Sequence, residues 1–251
     1  MFPIRDENPH PPGFKPKLTI ALIIVNVIVF FYEVAYTGQF LEFTNAAASK
    51  LFYEWGAVPS CIVHGALPSQ FPVDCPPTPQ ISLISSIFLH GGLMHLGGNM
   101  LFLWIFGDNI EHKFGRSKFF VIYMAWGVAA GLAHVAVDPA STIPAVGASG
   151  AISGVLGAYL AIFPRAKIQT FLMFGFFWRM MRIEARWYLP FWFIFQNILP
   201  FVIGGFGSAG GGVAFMAHIG GFAVGYAVGF VYKKMHNTEF TYGSRYGWRG
   251  D

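Results

Sequence analysis

The chain has 251 residues, of which 55% are hydrophobic, 18% aromatic and only 11% charged, with a formal net charge of +4. Soluble surfaces need about a quarter of residues charged, so this composition describes a membrane protein. Thirty Gly and 28 Phe agree with that class, and collagenous, disordered and disulfide-scaffold classes are excluded.

Six apolar runs follow in chain order: Leu18 to Tyr36, Leu93 to Ile110, Phe119 to Val137, a short one from Ser149 to Phe163, Trp187 to Ile203, and Val213 to Tyr232. The long ones match about 30 Å of hydrocarbon. They predict one all-α domain with a six-helix core over 18–232, an amino tail over 1–17 and a carboxyl tail over 233–251, both tails mobile. The first run is longer than a signal core and lacks a small-x-small cleavage site, so it is expected to be retained. The stretch Thr170 to Trp178 is apolar too, but nine residues rise only about 14 Å as a helix, which places it at the membrane interface. Lys and Arg set the orientation, because they collect in cytoplasmic loops. Fifteen of the 16 fall in the amino tail, the second loop, the fourth loop and the carboxyl tail, leaving only Lys50 on the other side. Both termini are therefore expected to be cytoplasmic, with six crossings. The positive charge reports topology, and nothing in the chain reads nucleic acid.

The first external loop, about Thr37 to Ser86, holds the only cysteines, Cys61 and Cys75. A disulfide closing the loop and two buried free thiols both fit. The prolines of Phe71 to Pro79 make that stretch irregular.

In lipid, the polar residues inside spans are informative, because each is costly unless paired or wet. The second span opens with His95-Leu-Gly-Gly-Asn99. Four residues apart on a helix, His95 and Asn99 share a face, and the glycines between them allow close approach. They fit either a polar contact between helices or a pair of donors facing substrate. The fourth run begins Gly147-Ala-Ser149-Gly150 after Pro144 and, at about 22 Å as a helix, starts below the external surface. Ser149 is then either an N-cap or a nucleophile at a helix end whose free N–H groups favour negative charge. The sixth run carries His218, followed by Gly221, Gly225 and Gly229, a stripe that predicts close packing on another helix. His218 is a structural histidine or a general base. His90 is expected to support the loop, His134 has no evident partner, Glu33 caps the cavity or snorkels, and Asp108 and Glu111 are structural.

Taken together, His95-x-x-x-Asn99, the Gly-Ala-Ser149-Gly box and Ala217-His218-x-Gly220 in three separate spans resemble the rhomboid family of intramembrane serine proteases. The resemblance runs from the first span to Tyr232. It implies Ser149 as nucleophile, His218 as its base in a dyad, and His95 with Asn99 as oxyanion donors beside the Ser149 backbone amide. It also implies a laterally embedded first loop and a fifth span acting as a side gate for substrate. Two departures stand out. Where some members have an aromatic residue one turn after the nucleophile that stacks on the base, this chain has Ser153. The first loop has Trp55-Gly56, while the Trp-Arg pairs are Trp178-Arg179 and Trp248-Arg249; embedding would then use Phe52, Tyr53 and Trp55.

The expected activity is cleavage of single-span membrane proteins near the extracytoplasmic face through an acyl-enzyme, at the cell (inner) membrane. The expected partners are transmembrane protein substrates and the lipid bilayer. The main rival is a non-catalytic rhomboid-like protein that binds spanning helices. A transporter would predict inverted repeats, which are not evident. Metalloprotease chemistry lacks its His-Glu-x-x-His helix, an aspartyl dyad lacks its two intramembrane aspartates, and no metal or cofactor is expected.

Overall fold

The computed structural model describes residues 1–69, 74–174, 177–199 and 215–236. The expectations for residues 71–73, the far end of the fifth run, the start of the sixth and the carboxyl tail beyond 236 lie outside them. The chain is mostly helical. Strand β1 (Phe2–Asp6) precedes α1 (Lys17–Thr37), and the first loop contains α2 (Ala46–Trp55), α3 (Pro59–His64) and α4 (Ser82–Ser85). Next come α5 (Leu93–Phe114), α6 (Arg116–Val137), α7 (Ser149–Ile162), β2 (Lys167–Phe174), β3 (Phe177–Glu184), α8 (Ala185–Phe193) and α9 (Phe215–Met235).

Three helices, α1, α6 and α9, are each long and apolar enough to cross a membrane. Their outward faces carry bare apolar side chains such as Ile28, Phe31, Val121, Leu132, Phe230 and Val231, the mark of helices meant for lipid. The segment Pro79–Phe88 and α5 pass the same test as a pair bent by 78°. The break between the two, after Phe88 and before Leu93, contains Gly91 and Gly92. Gly92 has φ 151°, and a side chain there would strike the Leu41 carbonyl.

Helix α7 is the centre of the bundle. Twelve of its 14 residues are buried, and it packs among Phe106, Tyr123, Trp126 and Tyr188. On α9, Gly221, Gly225 and Gly229 are buried. A Cβ added at Gly221 would collide with the Gly150 carbonyl, one at Gly225 with the Gly154 carbonyl, and one at Gly229 would lie 2.8 Å from Ala158 Cα. The two helices thus touch backbone to backbone. This dispersion-rich contact needs glycine, because lipid offers no hydrophobic drive to bring helices together.

The ends of the bundle are tied by buried polar groups. Glu111 of α5 accepts hydrogen bonds from Leu18 N at 3.0 Å, Thr19 N at 2.7 Å and Thr19 Oγ1 at 2.8 Å. It therefore supplies the cap that Pro16 cannot give α1. Within α1, the buried Glu33 accepts from His90 N at 3.0 Å, which ties the span to the loop ahead of α5.

The structure departs from the all-α expectation by one three-stranded antiparallel sheet, order β1-β2-β3. Within the apolar stretch Thr170 to Trp178, residues 170–174 lie on β2 and residues 177 and 178 on β3, so these described residues are extended and not helical. Strands β2 and β3 pair from Lys167↔Glu184 to Phe174↔Phe177. The amino tail, expected to be mobile, forms β1, pairing Phe2↔Phe171 through Asp6↔Ile168. Polar contacts hold it down: Tyr159 donates to Asp6 at 2.7 Å, Asn109 donates to Asp6 at 3.0 Å, and Asn8 donates to the Tyr159 hydroxyl at 2.8 Å. His10 meets Asp108 at 2.9 Å.

This packing makes the amino strand sensitive to pH. Burial pushes the Asp6 carboxyl from 3.8 up to about 6, and the hydrogen bond to Asp108 raises His10 above its ordinary value. Both folded values exceed the unfolded ones, so both contributions are full in acid and are lost as pH rises, through about 6 for Asp6 and through the raised value for His10. Amide exchange in 2–6, corrected for intrinsic rates and referenced to α7, should show stronger protection at acidic than at alkaline pH. In the bundle, Gly225→Val forces the α7 and α9 backbones apart and should cost about 1–3 kcal/mol. A thermal unfolding midpoint in detergent should fall for Gly225→Val and hold for Ala227→Val, whose site is exposed.

Candidate active site

Gly147 makes the turn into α7 with φ 124°, and its N–H donates to the Ser86 carbonyl at 2.8 Å. Ala148, not Ser149, occupies the N-cap, and no side chain caps the helix. Ser149 is therefore the first helical residue, with its hydroxyl free of the capping role that was one of its two readings. The hydroxyl is engaged elsewhere: Ser149 Oγ lies 2.6 Å from His218 Nε2 of α9. The glycine contact between α7 and α9 makes that distance possible, since Gly221, three residues after His218, sits against Gly150.

His95 and Asn99, one turn apart on α5, converge beside Gly147. A Cβ at Gly147 would lie 2.7 Å from His95 Nε2 and 3.6 Å from Asn99 Nδ2. His95 Nδ1 accepts from Gly91 N at 3.2 Å. The ring proton of the neutral imidazole is therefore on Nε2, which makes it a donor on the side facing Gly147. Asn99 Nδ2 is buried without a hydrogen-bond partner among the described residues. Two N–H donors thus meet next to a helix N-terminus whose own first N–H groups lack intrahelical partners. Such a place stabilises a developing oxyanion. His90 supports this arrangement, its ring lying edge-on to His95 with centroids 5.2 Å apart.

The first loop is anchored to the same region. Cys61 and Cys75 form a disulfide, which settles the choice between a bridge and free thiols. Ala57 pairs with Ala145 as an antiparallel bridge, and Ser60 N donates to the Ser141 carbonyl at 2.9 Å. The chain leading into Ser149 is thus held by the loop that precedes α5. Among the described residues, no cluster of His, Cys, Asp and Glu is arranged to hold a metal ion.

One member of the constellation was missed in the sequence. His218 Nδ1 lies 2.5 Å from Asn197 Oδ1, within the π-helical turn Ile194–Ile198 that continues α8. Asn197 is 1% exposed. Its signal was available, since Gln196-Asn197 is the polar pair in an otherwise apolar run, and intramembrane amides are costly unless partnered. Ser153 is buried and has no described contact with the His218 ring.

Comparison with known proteins gives a consistent result. Residues 79–235 match the Rhomboid domain. The chain is 41% identical over 99 residues to "Rhomboid protein 1, mitochondrial" of Saccharomyces cerevisiae, covering 38% of this chain and 29% of that protein. It is 41% identical over 80 residues to "Rhomboid protease GluP" of Bacillus subtilis, covering 32% and 15% respectively. A longer match, 30% identical over 175 residues and covering 66% of this chain, is to "RHOMBOID-like protein 6, mitochondrial" of Arabidopsis thaliana, of which it spans 49%. The aligned part is thus less than half the length of each relative. The Rhomboid domain covers most of the chain and contains Ser149, His218, His95 and Asn99, so this membrane protein belongs to the rhomboid family.

Proposed function

We propose that this chain is an intramembrane serine endopeptidase that hydrolyses peptide bonds of single-span membrane proteins near the extracytoplasmic face. The observation that carries this reading is the 2.6 Å contact between Ser149 Oγ and His218 Nε2 at the start of α7. A serine whose hydroxyl does not cap its helix and which faces an imidazole is placed to act as an activated nucleophile.

In the proposed reaction, Ser149 Oγ attacks the scissile carbonyl carbon as its proton passes to His218 Nε2. The oxygen that becomes negative is held by His95 Nε2–H, Asn99 Nδ2–H and the backbone N–H at the start of α7. The C–N bond then breaks as the imidazolium returns its proton to the leaving amine. Water next attacks the ester carbonyl, giving up its proton to Nε2, and Ser149 leaves with that proton. Helix α7 rises only about 21 Å, so its first residue would sit in a recess below the headgroups, open to water from the external side. A helical substrate must unwind there, because its carbonyls are otherwise bonded and covered.

The orientation belongs to the same proposal. Six crossings with both termini in the cytoplasm put the sheet and most Lys and Arg on the cytoplasmic side, and Ser149 toward the other. The non-catalytic alternative has no structural observation in its favour, because Ser149 and His218 are both present and in contact.

The test is cleavage of a generic single-span protein in proteoliposomes. Wild type should cut and Ser149→Ala should not; equal cleavage by both would remove Ser149 from the mechanism. Losing one oxyanion donor costs on the order of 10²–10³ in rate, so Asn99→Ala should remain detectable at that reduced level. Tags on both tails should be protected from an external protease in intact cells.

A further inference from the structure

A serine protease base must present a lone pair at the nitrogen that faces the hydroxyl. A neutral imidazole carries one ring proton, and only the form protonated on the far nitrogen can accept at the near one. Here the near nitrogen is His218 Nε2, so the proton must be on Nδ1. Nδ1 lies 2.5 Å from Asn197 Oδ1, and that carbonyl accepts a proton but does not supply one. We infer that Asn197 is the positioning residue of the reaction, fixing both the tautomer and the angle of the His218 ring.

The inference rests on the serine protease reading and adds to it a third member from a different helix. Three observations support it. Ser153, and not an aromatic residue, stands one turn after Ser149 on α7. Asn197 is buried, and its side-chain oxygen is spent on His218. It also sits in a π-helical turn, Ile194–Ile198. An extra residue in a helix re-aims one side chain at the expense of regular hydrogen bonding, and such turns recur at functional sites. Asn197 carries no charge, so it orders the ring without offsetting the positive charge that forms on it. Asn197→Asp would do both.

The experiment measures kcat and KM in proteoliposomes for wild type, Asn197→Leu and Asn197→Asp, with Ser149→Ala as the blank. Asn197→Leu should lose on the order of 10²-fold or more in kcat, as expected for a base in the wrong tautomer, while KM stays close to wild type. Asn197→Asp should regain most of the loss, with the acid limb of its rate profile displaced to higher pH because a carboxylate favours the imidazolium. The other titratable groups facing the ring, His95 and His134, are common to all variants and cannot produce that difference. Full activity in Asn197→Leu, or equal loss in the Asp and Leu variants, would overturn the inference. Because Asn197→Leu risks misfolding, ¹⁵N spectra of the wild-type imidazole give an independent reading. Nδ1-protonated His218 is expected, and an Nε2-protonated ring would end the idea. If wild type cleaves nothing that Ser149→Ala does not, the protease reading fails instead, while the tautomer is still measured.

Discussion

Two backbones in contact govern this molecule. Helices α7 and α9 meet through Gly150, Gly154 and Ala158 on one side and Gly221, Gly225 and Gly229 on the other, with backbone atoms as the nearest neighbours of the α9 glycines. Only that separation lets Ser149 and His218 reach each other from different helices. Lipid provides no hydrophobic force to press them together, so close packing must do it. The glycine stripe and the serine–histidine pair are therefore one feature, the first setting the distance that the second uses.

The cost of polar groups in a membrane explains most of the remaining architecture. The buried acids Glu111 and Glu33 both serve backbone N–H groups, the first capping α1 and the second holding the loop before α5. Each offsets its own desolvation by satisfying donors that would otherwise be orphaned. Asn99 differs from these acids: its Nδ2 is one of several side-chain polar atoms that are buried and unpartnered among the described residues. A native structure tolerates such a group where something else is meant to complete it, and under the proposed reaction that partner, beside Gly147 and Ser149, is a substrate oxygen.

The convergence of His95, Asn99, Ser149 and His218 was legible in the sequence because chemistry restricts the residue types, and the small residues next to them mark where backbones must approach. The long apolar helices were legible from their length. Asn197 was only partly legible: Gln196-Asn197 marks a polar pair in an apolar run, but which amide points inward depends on the helical phase, and the π turn at Ile194–Ile198 shifts that phase in a way no 3.6-residue periodicity reveals. The sheet escaped for another reason. Strands β2 and β3 lack a clean alternation of polar and apolar residues. Strand β1 has partners more than 160 residues away, beyond the reach of any local pattern. Ser149 was read correctly as a helix-end residue, but only the backbone angles could put Ala148 in the capping position.

The order of synthesis gives that distant pairing a consequence in time. Residues 2–6 are made well before the strand they join, which begins at Lys167, after the helices from α1 to α7. At about 5–20 residues per second, β1 waits on the order of ten seconds or more for its neighbour. The sheet end of the bundle is therefore closed late, by an early-made strand that must fold back past all of those helices.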